Sequence, residues 1–484
     1  MVGKGGGSVP TAAATLTPTI DGSLLPSTLV PTQVSTMAPT WTDTWYQAGK
    51  VSASDGVPSE YFGSSLAGLS TSSFVVGAYG DTQSTGSAYV FSSNSGSWTQ
   101  VDKVAASDST SYDYFGYRVA GLSSDAFVVG AYGDDDQGSL SGSAYVFTAS
   151  NSGTWVQADK VVASDGAASD NFGNGLAGLS SSSFVVSASG DDDAGSASGS
   201  AYVFTSDSGS WVQAAKVVAT DGTTSSYFGR GLADLSNSSF VAGAYGSGAK
   251  GFLSGSAYVF TLNSGTWVQA NKIAASDGAG SDYFGYGLTG LSSSNLVAGA
   301  YSDDDDGSAS GSAYVFTFNS GTYVQAQKVV ADDGSAGDQF GISVSGIGES
   351  SFAVGAQTED ATGLLDAGSA YVFSLGSSNW VQQAKVWASD ATKYDYFGMY
   401  VEGLSTNIFL SGSTGDDDSG SGSGSAYLFS YSAGSQSSTD IATLAPTGTL
   451  APTTAPTLVP TITPTLAPTG TLLYRSRIES NALT

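Results

Sequence analysis

A Phe-Gly pair recurs seven times along the chain, at Phe62, Phe115, Phe172, Phe228, Phe284, Phe340 and Phe397, with spacings of 53, 57, 56, 56, 56 and 57 residues. A fixed period of this length constrains the fold more than any local signal, because each unit must bury its apolar surface against the next. The unit is clearest from Trp155 to Phe204, which reads WVQADKVVASDGAASDNFGNGLAGLSSSSFVVSASGDDDAGSASGSAYVF. Its four short apolar runs are WVQADKVVA, FGNGLAGL, SFVVSAS and GSAYVF. Bounded by Ser, Gly and Asp clusters, they read as strands between turns. The third and fourth do not alternate between polar and apolar, as strands buried on both faces do not. Four-stranded sheets stacked face to face around an axis bury strands in that way. The pattern therefore predicts an all-β fold, a seven-bladed β-propeller of four-stranded antiparallel blades.

Composition narrows the function classes. The net charge is −28, from 42 acidic and 14 basic residues, which argues against a nucleic-acid partner because phosphate contacts need clustered Lys and Arg. There is no His and no Cys, so the usual general base, the thiol nucleophile and the favoured transition-metal ligands are missing, and an enzyme is not expected. No apolar run approaches the roughly 18 residues that span a bilayer. Residues 1–40 are Gly-rich and then Thr/Pro-rich, and 433–484 return to Thr-Pro repeats such as LAPTGTLAPTTAPT. Both are expected to be disordered, with 41–432 forming the ring. Thr-Pro tracts of this kind resemble mucin-like, O-glycosylated stalks; unglycosylated spacers are the plainer alternative. Two such tracts around one domain suggest a module of an extracellular or cell-surface protein. No signal peptide is visible at the N-terminus, so either the protein is not secreted by the usual route or, as the two flanking tracts suggest, the chain is a piece of a longer product.

The repeats also carry a family likeness. Phe-Gly, then Val-Gly-Ala-Tyr (Val76 to Tyr79, Val129 to Tyr132) or its variant Ala242 to Tyr245, then Gly-Ser-Ala-Tyr-Val-Phe, resembles the FG-GAP repeat of integrin α chains and many surface proteins. The resemblance implies a blade order: FGxxLAGL nearest the axis, SFVVGAYG second, GSAYVF third and the Trp run outermost. The array begins with a Trp run and ends with a third strand. The seventh blade is therefore expected to take its outer strand from residues 45–53, closing a monomeric ring and sparing it unpaired sheet edges.

Given alternating strands, the 2–3 and 4–1 loops emerge on one face and the 1–2 and 3–4 loops on the other. The 2–3 loops carry Asp134, Asp135 and Asp136; Asp191, Asp192 and Asp193; Asp303, Asp304, Asp305 and Asp306; and Asp416, Asp417 and Asp418, with weaker versions at Asp81 and at Glu359 and Asp360. One face is thus expected to be strongly acidic. The Asp runs are candidate Ca²⁺ sites, since clustered carboxylates attract a cation that takes six to eight oxygens, or else solvated loops that keep a Gly-rich protein soluble. The Asp-x-Asp-x-Asp-Gly loop by which FG-GAP proteins often bind Ca²⁺ lies between strands 1 and 2; here those loops read LSTSS or LSSSS, and that site is not carried over.

The recurring Phe and the Trp series (Trp45, Trp98, Trp155, Trp211, Trp267, Tyr323, Trp380) are expected to pack between and along blades. Each outer strand has a Lys and, five residues on, an Asp, from Lys50 and Asp55 to Lys385 and Asp390, read as solvated pairs or turn-capping Asp. The fourth repeat lacks the acidic run and brings Arg230 and Lys250, a basic notch for an acidic ligand group or simple drift. Asn237-Ser238-Ser239 is a glycosylation sequon if the protein is secreted. The function expected is an adhesion or recognition module binding a protein or glycan, with a structural matrix component and a polysaccharide-acting enzyme as alternatives.

Overall fold

In a computed structural model, which describes residues 44–150 and 153–433, the chain forms seven four-stranded antiparallel sheets. Blade one is Ser65–Ser70, Ser73–Ala78, Ser87–Asn94 and Ser97–Val104, from the axis outward. Blades two to six repeat this order. Blade seven is Phe397–Ser405, Ile408–Ser413 and Ser425–Ser432, completed by Thr44–Val51. In that closing pair Trp45 faces Tyr431, Gln47 faces Phe429 and Val51 faces Ala426. The closing strand expected at 45–53, from the repeat phase and the blade order that the family resemblance implies, is thus found at Thr44–Val51. Among the described residues no helix is long and apolar enough to cross a membrane. The Thr/Pro-rich tracts lie outside the described residues.

Burial explains the sequence pattern strand by strand. Second and third strands are buried on both faces, as at Phe184, Val185 and Val186 or Tyr202, Val203 and Phe204. Outer strands alternate exposed and half-buried residues, as strands at the solvent-facing rim of the ring do. Where the outer strand passes Val203 and Phe204 of the third strand the register shifts, and the same shift recurs at Val90/Phe91 and Val259/Phe260. Such bulges sharpen the local twist.

The apolar clusters lie between blades rather than within them. One joins Val128 and Val146 of blade two to Phe172, Val186 and Tyr202 of blade three. The Phe of Phe-Gly is therefore the wedge expected, wholly buried, with Phe172 set edge-on to Tyr202 at 5.5 Å. Its glycine partner is required by geometry: Gly173 has φ +94°, and a Cβ there would lie 2.4 Å from the carbonyl oxygen of Ser143 in the preceding blade. The Trp series packs as expected, Trp211 lying 4.7 Å from Phe184.

A second inter-blade tie was not anticipated. The Gln after each outer-strand Trp-Val accepts a hydrogen bond from the backbone N–H just beyond the preceding outer strand, as from Ser164 to Gln213 at 2.9 Å. The tie from Ser389 to Gln47, also 2.9 Å, crosses the closure in the same way.

Candidate functional site

The rim of the acidic face is built from the recurring Lys. In blade three the Nζ of Lys216 lies 2.8 Å from Asp165, 2.9 Å from Asp191 and 2.6 Å from Asp193. It also sits 5.3 Å from the ring centre of Tyr202, whose hydroxyl donates to Asp191 at 2.9 Å. Three segments meet here: the 4–1 crossover from blade two, the 2–3 loop of blade three and its outer strand. Lys160 repeats the set with Asp108, Asp134 and Asp136, Lys328 with Asp277, Asp303 and Asp305, and Lys50 with Asp390, Asp416 and Asp418. Lys103 holds Asp55 and Asp81, and Lys385 holds Asp333 and Glu359. Lys272 of blade four has only Asp221, because Ser247 stands where other blades have an acid and bonds Ser256 instead.

This arrangement corrects two readings. Each Lys does not pair with the Asp five residues on. Asp55 goes to Lys103, Asp165 to Lys216 and Asp390 to Lys50, one blade out of step, because the 4–1 crossover delivers the Asp to the next blade. Nor are the Asp runs wholly solvated. The first residue of each run (Asp134, Asp191, Asp303, Asp416) is buried, while Asp135, Asp192, Asp304 and Asp417 are exposed. Burial alone would push the Lys216 ammonium down; its bonds to Asp165, Asp193 and Asp191 outweigh this and hold it above its ordinary value. Asp191, raised by burial, is held below its ordinary value chiefly by Lys216 and Tyr202.

The trios Asp108, Asp134 and Asp136, Asp165, Asp191 and Asp193, and Asp390, Asp416 and Asp418 bring their carboxylate oxygens within 4.8 Å of one another and could by that spacing hold a metal ion. As placed, however, each trio closes on a lysine ammonium, and Ca²⁺, with its six to eight oxygens, would need bidentate carboxylates or added water as well. The donor set fits the lysine, and a divalent ion would have to displace it. The 4–1 Asp of each trio was outside the Asp runs singled out in the sequence.

The second site lies on the axis. Inner strands begin on the acidic face, and their first residues line a central channel of about 440 Å³. Arg118 and Arg230 project into it, near Tyr286 and Tyr400. The guanidinium of Arg230 donates to the hydroxyls of Tyr117 at 2.7 Å and Tyr286 at 3.1 Å, and lies 5.1 Å from the ring centre of Tyr286. Arg118 bonds the carbonyl of Tyr117 and the hydroxyl of Tyr400. Tyrosines just past the second strands surround this pair: Tyr132 packs edge-on against Tyr117 at 4.5 Å, and Tyr301 against Tyr286 at 5.0 Å. Burial would push the Tyr117 phenol up, but Arg230 and Arg118 outweigh it and hold the phenol below its ordinary value.

Deeper in the channel the charge reverses. Asp234 replaces the glycine of the other inner strands, and Glu402 an alanine, Thr or Ser. Glu402 accepts hydrogen bonds from the N–H of Gly68 at 3.1 Å and the hydroxyl of Ser345 at 3.3 Å. Burial, helped by the neighbouring Asp234 charge, pushes its carboxyl up to about 7.

The basic notch is divided by the structure. Arg230 is axial, whereas Lys250 lies out on a 2–3 loop and reaches the carbonyl of Ser276 at 3.4 Å. Inner strands start beside the axis and 2–3 loops lie farther out, so the two cations share no partner. Asn237 is exposed on the turn between Leu232–Ser236 and Ser239–Ala244.

A search of curated proteins found no match to the chain. The family model for the FG-GAP repeat matches seven times, at residues 45–91, 98–147, 155–204, 211–260, 267–316, 323–373 and 380–429. Each match runs from an outer-strand Trp or Tyr to the Phe of the following third strand, so the repeat in sequence is one strand out of phase with the blade. With its Phe wedges, closing strand and seven blades accounted for, the chain belongs to the FG-GAP repeat family.

Proposed function

We propose that the ring is a non-enzymatic recognition module of an extracellular or cell-surface protein, binding a protein or glycan on the face of the 2–3 and 4–1 loops. FG-GAP propellers are often used for ligand binding or adhesion, which supports the class. The observation that carries this reading is the exposure of large aromatic side chains on those loops. Phe252 is 78% exposed on a 2–3 loop, and Tyr112 and Tyr394 are 63% and 48% exposed on 4–1 loops. Aromatic anchors among polar loops are what interfaces favour. The buried rim acids Asp134, Asp191, Asp303 and Asp416 are each paired with a lysine, an architectural use of their charge. Cation assistance, in this reading, is a competition between a divalent ion and lysine for the same oxygens.

The full chain should be applied to a glycan array and to a panel of surface proteins, beside a Tyr112→Ser, Phe252→Ser, Tyr394→Ser variant. The variant is expected to lose the ligands that wild type retains. Equal binding by both proteins would move the interface off this face.

A further inference from the structure

We propose that the axial channel binds a compact oxyanion, free or carried as the carboxylate, sulfate or phosphate group of a small ligand, between the guanidinium groups of Arg118 and Arg230. Among the described residues these are the only arginines, and neither has a carboxylate partner, although the protein carries 42 acidic side chains. Nη1 of Arg230 is buried and has no hydrogen-bond partner. A buried donor left unmade is costly, and more so on a charged group. The partners Arg230 does have are the phenol oxygens of Tyr117 and Tyr286.

An oxyanion between the two guanidiniums would accept the spare Nη1–H and supply the missing charge through short, charge-assisted bonds. The channel is large enough for a small ligand, at about 440 Å³. Asp234 and Glu402 at its far end repel a second anion and set a direction: the anionic group lies at the arginine end, and hydroxyl or amine groups face the acids. None of these residues belongs to the loop surface proposed for macromolecular recognition, so either reading stands or falls without the other.

The test is calorimetric titration of the full chain, in chloride-free buffer, with sodium sulfate, sodium glucuronate and uncharged glucose. Saturable one-to-one binding of sulfate, glucuronate or both is expected, with none for glucose. Glucuronate alone would assign the group to an organic carboxylate, and sulfate alone to a free inorganic anion. Arg230→Gln should weaken binding at least about tenfold, the worth of one or more charged hydrogen bonds, while Lys250→Gln leaves it unchanged. Should Arg230→Gln misfold, Arg230→Lys keeps the charge without the planar fork and should still weaken binding. The proposal is overturned if wild type binds neither anion, if glucose binds as well as glucuronate, or if binding is undiminished in both arginine variants.

Discussion

The rim and the axis of this ring treat cations in opposite ways. Lys216 at the rim is enclosed by three carboxylates and lies over a tyrosine ring. Arg230 at the axis lies between tyrosines with one nitrogen unmatched. The rim groups complete one another within the chain, and their job is to pin a crossover to the next blade. The axial groups do not complete one another. The difference separates charge used for architecture from charge available to a partner, in a protein whose net charge alone would suggest only an acidic surface.

The largest expected effect is at the rim. Lys216→Met leaves buried Asp191 beside Asp165 and Asp193 with no counter-charge, and should cost about 2–4 kcal/mol, somewhat below the loss for fully buried pairs. Chemical unfolding measures this, and millimolar Ca²⁺ should restore part of the loss in the variant but not stabilise wild type. A variant as stable as wild type would dissolve the distinction between rim and axis.

Glu402→Gln should act in the opposite sense. With the folded carboxyl near 7 and the unfolded one near 4.5, the folded state binds the proton more tightly. Stability from this group is therefore full below pH 4.5 and is lost as pH rises through 7. At pH 8 the Gln variant should be more stable by about 1–3 kcal/mol, channel water reducing the full linkage value; below pH 4.5 the two proteins should unfold alike. Equal stability at pH 8 would place Glu402 in ordinary solvent, away from the Asp234 charge.

Arg230→Met is expected to change stability by less than about 1 kcal/mol, since lost tyrosine contacts are offset by removal of the unmatched donor. A much larger loss, seen as a fall in Tm, would make the arginine structural. Smallest is Lys272→Met: with one exposed partner, Asp221, it should cost about 0.5 kcal/mol. A loss equal to that of Lys216→Met would show that the number of carboxylates does not matter.

The ring was legible from a strict repeat, and its closing strand and the shared face of the 2–3 and 4–1 loops from repeat phase together with the blade order that the family resemblance implies. The lysine partners were not. In a periodic sequence Asp165 is five residues from Lys160 and 51 from Lys216, and spacing along the chain favours the wrong one. The axial site was legible only in part: Arg230 stood out as a cation, but its spacing along the chain gives no sign that it meets Arg118 on the axis. The two positions after Phe-Gly vary, reading Ser64-Ser65, Tyr117-Arg118, Asn174-Gly175, Arg230-Gly231, Tyr286-Gly287, Ile342-Ser343 and Met399-Tyr400. All seven pairs contribute to the channel lining, where each blade sees all the others and no repeat constraint applies.

The closing strand carries a mechanical consequence. Thr44 is paired with Ser432, so the chain enters and leaves the ring at neighbouring points. Tension between the two flanking tracts would load the Thr44–Val51 strand at one end and open its hydrogen bonds singly, as a zip rather than a shear. Lys50, near the far end and bonded to Asp390, Asp416 and Asp418, would be among the last contacts to part. A pull on the ring would thus meet a soft latch first and an ionic catch after it, with the other six blades still complete.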